Sequence, residues 1–269
     1  MSPWVAATSL AEPIDEYAAF CEGVHLVCNV DLTQYKRRQM ERRVRSFAER
    51  HGTPQLSRYL AVLAADERER ASFLERVTIN VSQLWRNPEQ WEMLAEHVIP
   101  ELALHGRIRA WSAGCSYGAE VYTLAALCFD VAPDITVEIL GSDIDERMIE
   151  SARDAHFSAA DARSAPNDAL DRWFEPGPSG LRAGPRLRRA ARFEVDDLLA
   201  MAAPPEAYDF IACRNTVIYF TVEGRDAVHA KLAAALRQGG YLMVGCTERI
   251  ADPDAYGLTL ALPFTYRKS

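Results

Sequence analysis

One stretch of this sequence combines strand, glycine and acid in a way that suits a bound cofactor. In IRAWSAGCSYGAEVYTLA, residues 108–125, an apolar run stops at Gly114, and a helical pattern resumes beyond Gly118 with Glu120 in its first turn. The glycines permit a tight turn, and the free N–H groups of the following helix can meet an anion. Glu120 argues for a different ligand, because a carboxylate there suits the helix dipole but repels a phosphate and attracts an ammonium. An acid in a first helical turn also needs no ligand at all, so both readings stand. The second glycine of a G-x-G dinucleotide turn is absent, since Ser116 occupies its place.

Further acids fall at later strand ends. Asp143 closes the strand-like TVEILGSD, where a carboxylate can accept both hydroxyls of a ribose. It can equally cap the next helix, although Asp145 is the better candidate for that. EVDDLL sets Asp196 and Asp197 beyond another strand, where an acid can bond an adenine amine. Glu120, Asp143 and Asp197 together suit a ligand with an ammonium, a ribose and an adenine but no phosphate. S-adenosylmethionine (SAM) is such a molecule, and NAD falls behind it for want of an anion-friendly turn. A fourth strand end, CRNTVIYF, gathers Arg214, Asn215 and Tyr219. Each has a plainer reading, as a surface ion pair, a cap and a core aromatic, but three polar groups at one strand end mark a candidate site.

The elements that must position these groups follow from periodicity. The first hundred residues read as successive helices: one begun near Asp31 and carried by QYKRRQMERRVRSFAERHG, one over 56–63, one over 66–77, and one with Pro88 in its first turn. From residue 108 strands and helices alternate, with strands at 108–113, 136–143, 208–215 and 240–246 and helices at 119–129, 146–155 and 222–237. That rhythm predicts an α/β fold: a largely parallel, Rossmann-like sheet covered on both faces, preceded by an all-helical domain. FTYRK near the C-terminus is expected to pair at a sheet edge. The Gly/Pro-punctuated segment 174–195 reads as a small β insertion. The domains are therefore expected at 1–88 and 89–269, with the insertion in the second.

Composition is that of a globular protein, 49% apolar and 25% charged, and the net charge of −8 argues against a nucleic-acid binder. The opening MSPWVAATSLAEPIDEYAAF has no basic start and carries Glu12, Asp15 and Glu16, unlike a secretory signal. No apolar run reaches the roughly 18 residues that a spanning helix needs, so no membrane insertion is expected. The six cysteines form no C-x-x-C pair and the six histidines show no ligand spacing. A reduced, cytoplasmic protein without a metal is expected.

In this order TINVSQLWRNPEQWEML, IRAWSAGCSYGAEVYTLA, ILGSDIDERMIESA, YDFIACRNTVIYF and GGYLMVGCTE resemble the motifs of the CheR-type chemotaxis receptor methyltransferases, and DLTQYKRRQMERRV resembles their N-terminal helical domain. The resemblance runs from about residue 20 to the end. It implies a SAM-dependent methyltransferase fold and transfer of a methyl group from SAM to glutamate side chains of chemoreceptors, leaving S-adenosylhomocysteine (SAH). It also implies roles for single residues. Asn80, Ser82 and Arg86 contact the cofactor or line the active site, and Gly114 lets the backbone pass near the methionyl tail. Glu120 binds the methionyl ammonium and Asp143 the ribose, while Asp197 and Leu198 border the adenine. Arg214 and Asn215 line the cofactor pocket, and Tyr219 lies near the transferred methyl. Since over-tight binding of the carboxylate by a cation would not help the transfer, Arg86 and Tyr219 are expected to orient it.

The chain departs from the family pattern at several positions. Ala119 replaces the first acid of a G-E-E motif, Tyr117 a frequent threonine, Leu84-Trp85 a Phe-Phe pair, Asp197 a common asparagine, and Cys246 a histidine. These departures leave a SAM-binding signalling module without catalysis, or a methyltransferase of another substrate, as alternatives. The expected partners are the acidic cytoplasmic methylation helices of chemoreceptors, met by a stripe of Arg38, Arg42 and Arg45 opposite Met40, Val44 and Phe47. A solvated helix face explains the same stripe. The insertion occupies the place of a small β subdomain that binds a receptor tail peptide in some members. A monomer is expected.

Overall fold

The computed structural model describes residues 15–78, 80–178 and 180–269, and most of the opening segment discussed above lies outside them. The chain divides into two units, Met1–Phe73 and Leu74–Ser269. In the first, Asp15 caps helix α1 (Glu16–Cys28) by accepting from the Ala18 N–H. Asp31, where a helix was expected to begin, caps only a 3-10 turn, Leu32–Gln34. Helix α2 starts at Arg37 and runs to Arg50, followed by α3 (Leu56–Ala65) and α4 (Glu67–Val77), which carries the chain across the unit boundary. Met40, Val44 and Phe47 recur at helical spacing on α2 and are buried. Phe47 meets Tyr59 edge-on at 6.0 Å, and Phe20 meets Phe73 at 6.1 Å, so rings from four helices close this core.

The second unit opens with α5 (Pro88–Met93), which has Pro88 in its first turn as expected. A π-helical stretch, Leu94–Val98, carries it into α6 (Ile99–Ala103). The alternation then gives β1 (Arg107–Ala113), α7 (Ala119–Val131), β2 (Thr136–Asp143) and α8 (Glu146–Asp154). After β3 (His156–Phe157) come α9 (Asn167–Trp173), β4 (Phe174–Gly177), β5 (Gly180–Ala183), α10 (Pro185–Ala190) and β6 (Ala191–Val195). The remaining elements are β7 (Tyr208–Cys213), α11 (Val222–Ala235), β8 (Leu236–Val244), β9 (Leu258–Leu262) and β10 (Thr265–Lys268).

Seven strands form one sheet in the order β6-β2-β1-β7-β8-β10-β9, parallel from β6 to β8 and antiparallel beyond. The strand order reverses between β1 and β7, which opens a crevice at their carboxyl ends, the place where such sheets bind ligands. FTYRK does not end at an edge, because β10 lies between β8 and the unforeseen β9. The 174–195 segment is likewise divided. Its first two strands join β3 in a separate antiparallel sheet, β3-β5-β4, whereas β6 pairs with β2 in the large sheet. The Gly/Pro punctuation marked the hairpin, but β3 is two residues long and carries too little pattern to read. No helix among the described residues is long and apolar enough to cross a membrane, and all six cysteines are free.

Candidate functional site

The loops after β1 and β7 approach each other closely at the crevice. Gly114 has φ +81°, and a Cβ there would lie 2.4 Å from the Thr216 hydroxyl oxygen, so only glycine fits. Gly118 caps α7 with φ +84° and faces Ala152 of α8 and Phe193 of β6. Both glycines therefore permit close approach between elements of the chain. Ser116, standing where a second glycine was missing, takes the left-handed conformation itself, at φ +50°. Its N–H donates to Asp143 Oδ2 at 2.8 Å, and this bond holds the turn.

Asp143 thus braces the turn from the end of β2, and its Oδ1 accepts from the Asp145 N–H at 3.1 Å. Each of its oxygens keeps a lone pair, and burial raises this carboxyl above its ordinary value. Asp145 caps α8 through the Arg147 N–H, and its Oδ2 accepts from Asn80 Nδ2 at 2.8 Å. Asn80 is thereby drawn to the end of β2.

Glu120 lies in the first turn of α7, where its Oε1 accepts from Ser112 Oγ at 2.8 Å and its Oε2 from Arg214 Nη1 at 3.0 Å. The Arg214 side chain is only 2% exposed. It also donates to Gln90 Oε1, Asn87 Oδ1 and the Arg86 carbonyl, and it stacks on Trp91 with 4.9 Å to the ring centroid. The bonds of Arg214 thus go to Glu120 and to groups of the 86–90 segment. The neighbouring Asn215, at φ +59°, donates its N–H to Glu248 Oε2 at 2.7 Å. The same oxygen accepts the Gly245 N–H, which ties the loops after β7 and β8 together. Burial raises the Glu248 carboxyl as well.

Three buried polar atoms at these strand ends have no hydrogen-bond partner among the described residues: Ser116 Oγ, Asn215 Oδ1 and Glu248 Oε1. With Glu120 and Asp143 they gather acceptors at the carboxyl ends of the parallel strands. SAM carries an ammonium, two ribose hydroxyls and an adenine amine, and these donors match the acceptors gathered here, so the residues fit SAM on its donor side.

Residues 80–260 match the CheR methyltransferase SAM binding domain, and residues 15–78 match the CheR methyltransferase all-alpha domain. The chain belongs to the CheR methyltransferase family. It is 32% identical to a chemotaxis protein methyltransferase of Listeria innocua over 256 residues, 94% of this chain and 97% of that one. It is 26% identical to the chemotaxis protein methyltransferase Cher2 of Pseudomonas putida, over 93% of this chain and 94% of the other.

In this CheR-family chain the segment before α5 is strapped onto the α/β unit. Ser82 is half-buried, and its carbonyl meets the Tyr117 phenol, which also lies 2.9 Å from Asp161 Oδ1. Leu84 donates its N–H to the Asp161 carbonyl at 2.9 Å, and Gln83 bonds Ser164. Trp85 sits at φ +51° with its N–H on Thr123 Oγ1, a bulky residue in a region costing roughly 1–3 kcal/mol, held there by the strap. Leu84 and Trp85 are both buried in the hydrophobic core, as is Ala119, so these departures from the family pattern change packing. Arg86 is half-buried, binds the Val81 carbonyl through Nη1, and has no acidic partner among the described residues.

Beyond β6, Asp197 Oδ1 accepts the Leu199 N–H, and Leu198 is buried. Tyr219 is half-buried in the 3-10 turn Val217–Tyr219, past the end of β7. On α2, Arg38 and Arg42 are exposed, whereas Arg45 pairs with Glu41 at 2.9 Å and Glu16 at 3.1 Å. Those acids take up the charge of the third arginine in the stripe. Sequence reasoning passed over Gln90, Ser116 and Glu248 as site residues. Glu248 ends one of the quoted motifs, and Ser116 was noticed only as an absent glycine.

Proposed function

We propose that this chain transfers the methyl group of SAM to glutamate side-chain carboxylates of chemoreceptors, as a cytoplasmic enzyme. The observation that carries the substrate class is Arg86, a half-buried cation whose carbonyl accepts from Arg214 beside Glu120 and whose side chain has no acidic partner among the described residues. The names of the relatives and the family resemblance point to the receptor as the source of that carboxylate.

The SAM sulfonium supplies an electrophilic methyl group when bound. The chain's residues supply placement. A glutamate side chain, with an ordinary pKa of about 4.3, is already ionised at neutral pH, so its attack needs no general base. Alignment of the carboxylate against the methyl, with water excluded, is the larger requirement. Arg86 and Tyr219 orient that carboxylate, and Asn80, Ser82, Asp143, Asp197, Leu198 and Asn215 hold the cofactor around Glu120. Carboxylate and sulfonium both lose charge as the bond forms, so a tight clamp on the carboxylate would slow the step, and Arg86 acts as a guide. The docking face for an acidic receptor helix is the exposed pair Arg38 and Arg42.

The reading is tested with a receptor cytoplasmic fragment whose methylation-site glutamates are replaced by glutamine. Labelling from methyl-labelled SAM is expected on the native fragment and not on the replaced one. Equal labelling of both would overturn it.

A further inference from the structure

Gln90 lies outside the groups to which any role has been given, yet its side chain is buried at the centre of the Glu120 network. Its Oε1 accepts from Arg214 Nη2 at 2.9 Å and from Arg214 Nε at 3.2 Å. Its Nε2 donates to the Val244 carbonyl, at the end of β8, at 3.0 Å. One side of the amide thus meets only donors and the other only an acceptor, so a single orientation satisfies it. Gln90 is fixed from the β8 side and in turn fixes one edge of the guanidinium.

An arginine has five N–H donors in a rigid fork. Here Nε and Nη2 are engaged by Gln90 and the Arg86 carbonyl, which leaves Nη1 to meet Glu120 Oε2. Without the acceptor on Gln90, the freed donors would turn to the nearest carboxylate, because bidentate pairing of guanidinium with carboxylate is favoured. Glu120 would then spend on Arg214 the lone pairs that a ligand ammonium uses. We propose that Gln90 is a positioning residue for the cofactor: it holds Arg214 in one-point contact with Glu120 and keeps the remaining lone pairs of Glu120 available to the methionyl ammonium. This inference rests on the assignment of that ammonium to Glu120.

The test compares two ligands on the full chain. SAH carries the amino-acid tail, and 5'-methylthioadenosine carries the same nucleoside without it. For Gln90→Met, similar in length but without amide groups, the Kd of SAH is expected to rise about tenfold, a change of the size a lost charged hydrogen bond produces. The Kd of 5'-methylthioadenosine is expected to stay within about twofold, a difference too small to represent a lost bond. Equal weakening of both ligands would reduce Gln90 to a packing role, and no weakening of either would remove it from the site. Both results overturn the proposal. If Gln90→Met does not fold, Gln90→Asn, one methylene shorter, must show the same selective loss. Glu120→Gln separates the Gln90 role from the ammonium assignment beneath it. Selective loss of SAH there, without selective loss in the Gln90 variant, sinks the Gln90 role alone. Absence of selective loss in Glu120→Gln sinks the ammonium assignment itself.

Discussion

Arg214 Nη1 donates to Glu120 Oε2 across 3.0 Å, and the other hydrogen-bond partners of that guanidinium among the described residues are neutral oxygens of Arg86, Asn87 and Gln90. The charge of Glu120 is therefore balanced within the protein. On the proposed assignment, an ammonium bound here adds a donor to a network that is already neutral, so the direction of the free lone pairs selects it more than net negative charge does.

Removing one partner of such a pair strands the other. Arg214→Met is expected to cost roughly 3 kcal/mol of unfolding free energy, because it leaves a buried carboxylate without its cation. The double variant with Glu120→Gln should recover part of that loss. Urea denaturation of the single and double variants measures both, and additive losses would contradict the coupling.

Ser116 combines a strained backbone with an unpartnered hydroxyl. Ser116→Ala should leave stability within about 1 kcal/mol of the parent, since no protein bond is lost. The Kd of SAH should rise by about threefold to tenfold if the hydroxyl faces the ligand. Thermal unfolding and calorimetric titration on one preparation read both. A stability loss with unchanged affinity would make the hydroxyl a structural group.

Burial raises the Asp143 and Glu248 carboxyls above their ordinary values. A carboxyl raised in this way favours the fold in its protonated form. Its contribution is full below the ordinary value and is lost as pH rises through the raised one. Donors on a ligand favour the ionised form instead. SAH affinity should therefore fall as pH is lowered through the raised range, and binding there should release protons. Titration calorimetry in buffers of different ionisation enthalpy shows the sign, and proton uptake would contradict it.

On α2 the exposed arginines are separable from the paired one. Charge reversal at Arg38 and Arg42 should raise the apparent KM for a receptor fragment about fivefold, a typical scale for lost charge complementarity, with the Kd of SAH unchanged. Arg45→Ala removes ion pairs to Glu41 and Glu16 and should act on the stability of the helical unit instead. Equal effects of the Arg38 and Arg42 reversal on receptor and SAH would remove the docking face.

The large sheet was legible because short apolar strands alternate with helical segments, the rhythm of an α/β fold. The candidate carboxylates were legible because strand ends are marked by the break in that pattern. The partners of those carboxylates were not. That Ser116 can stand in for glycine depends on Asp143, which lies in the next strand. That Arg214 turns inward depends on Gln90, far away in the chain. β9 and β3 escaped because LTLAL and the two residues of β3 take their strand character from the neighbours they pair with, which local periodicity does not record.

Methyl transfer to a receptor glutamate leaves a neutral ester that base hydrolyses. Incubation of the purified chain with methyl-labelled SAM and receptor cytoplasmic fragments, followed by base treatment and capture of volatile label, reads that product directly. The account predicts base-released label that depends on both the receptor fragment and the chain, and that falls sharply with Arg86→Ala. SAM binding without base-labile transfer to any receptor fragment would contradict it.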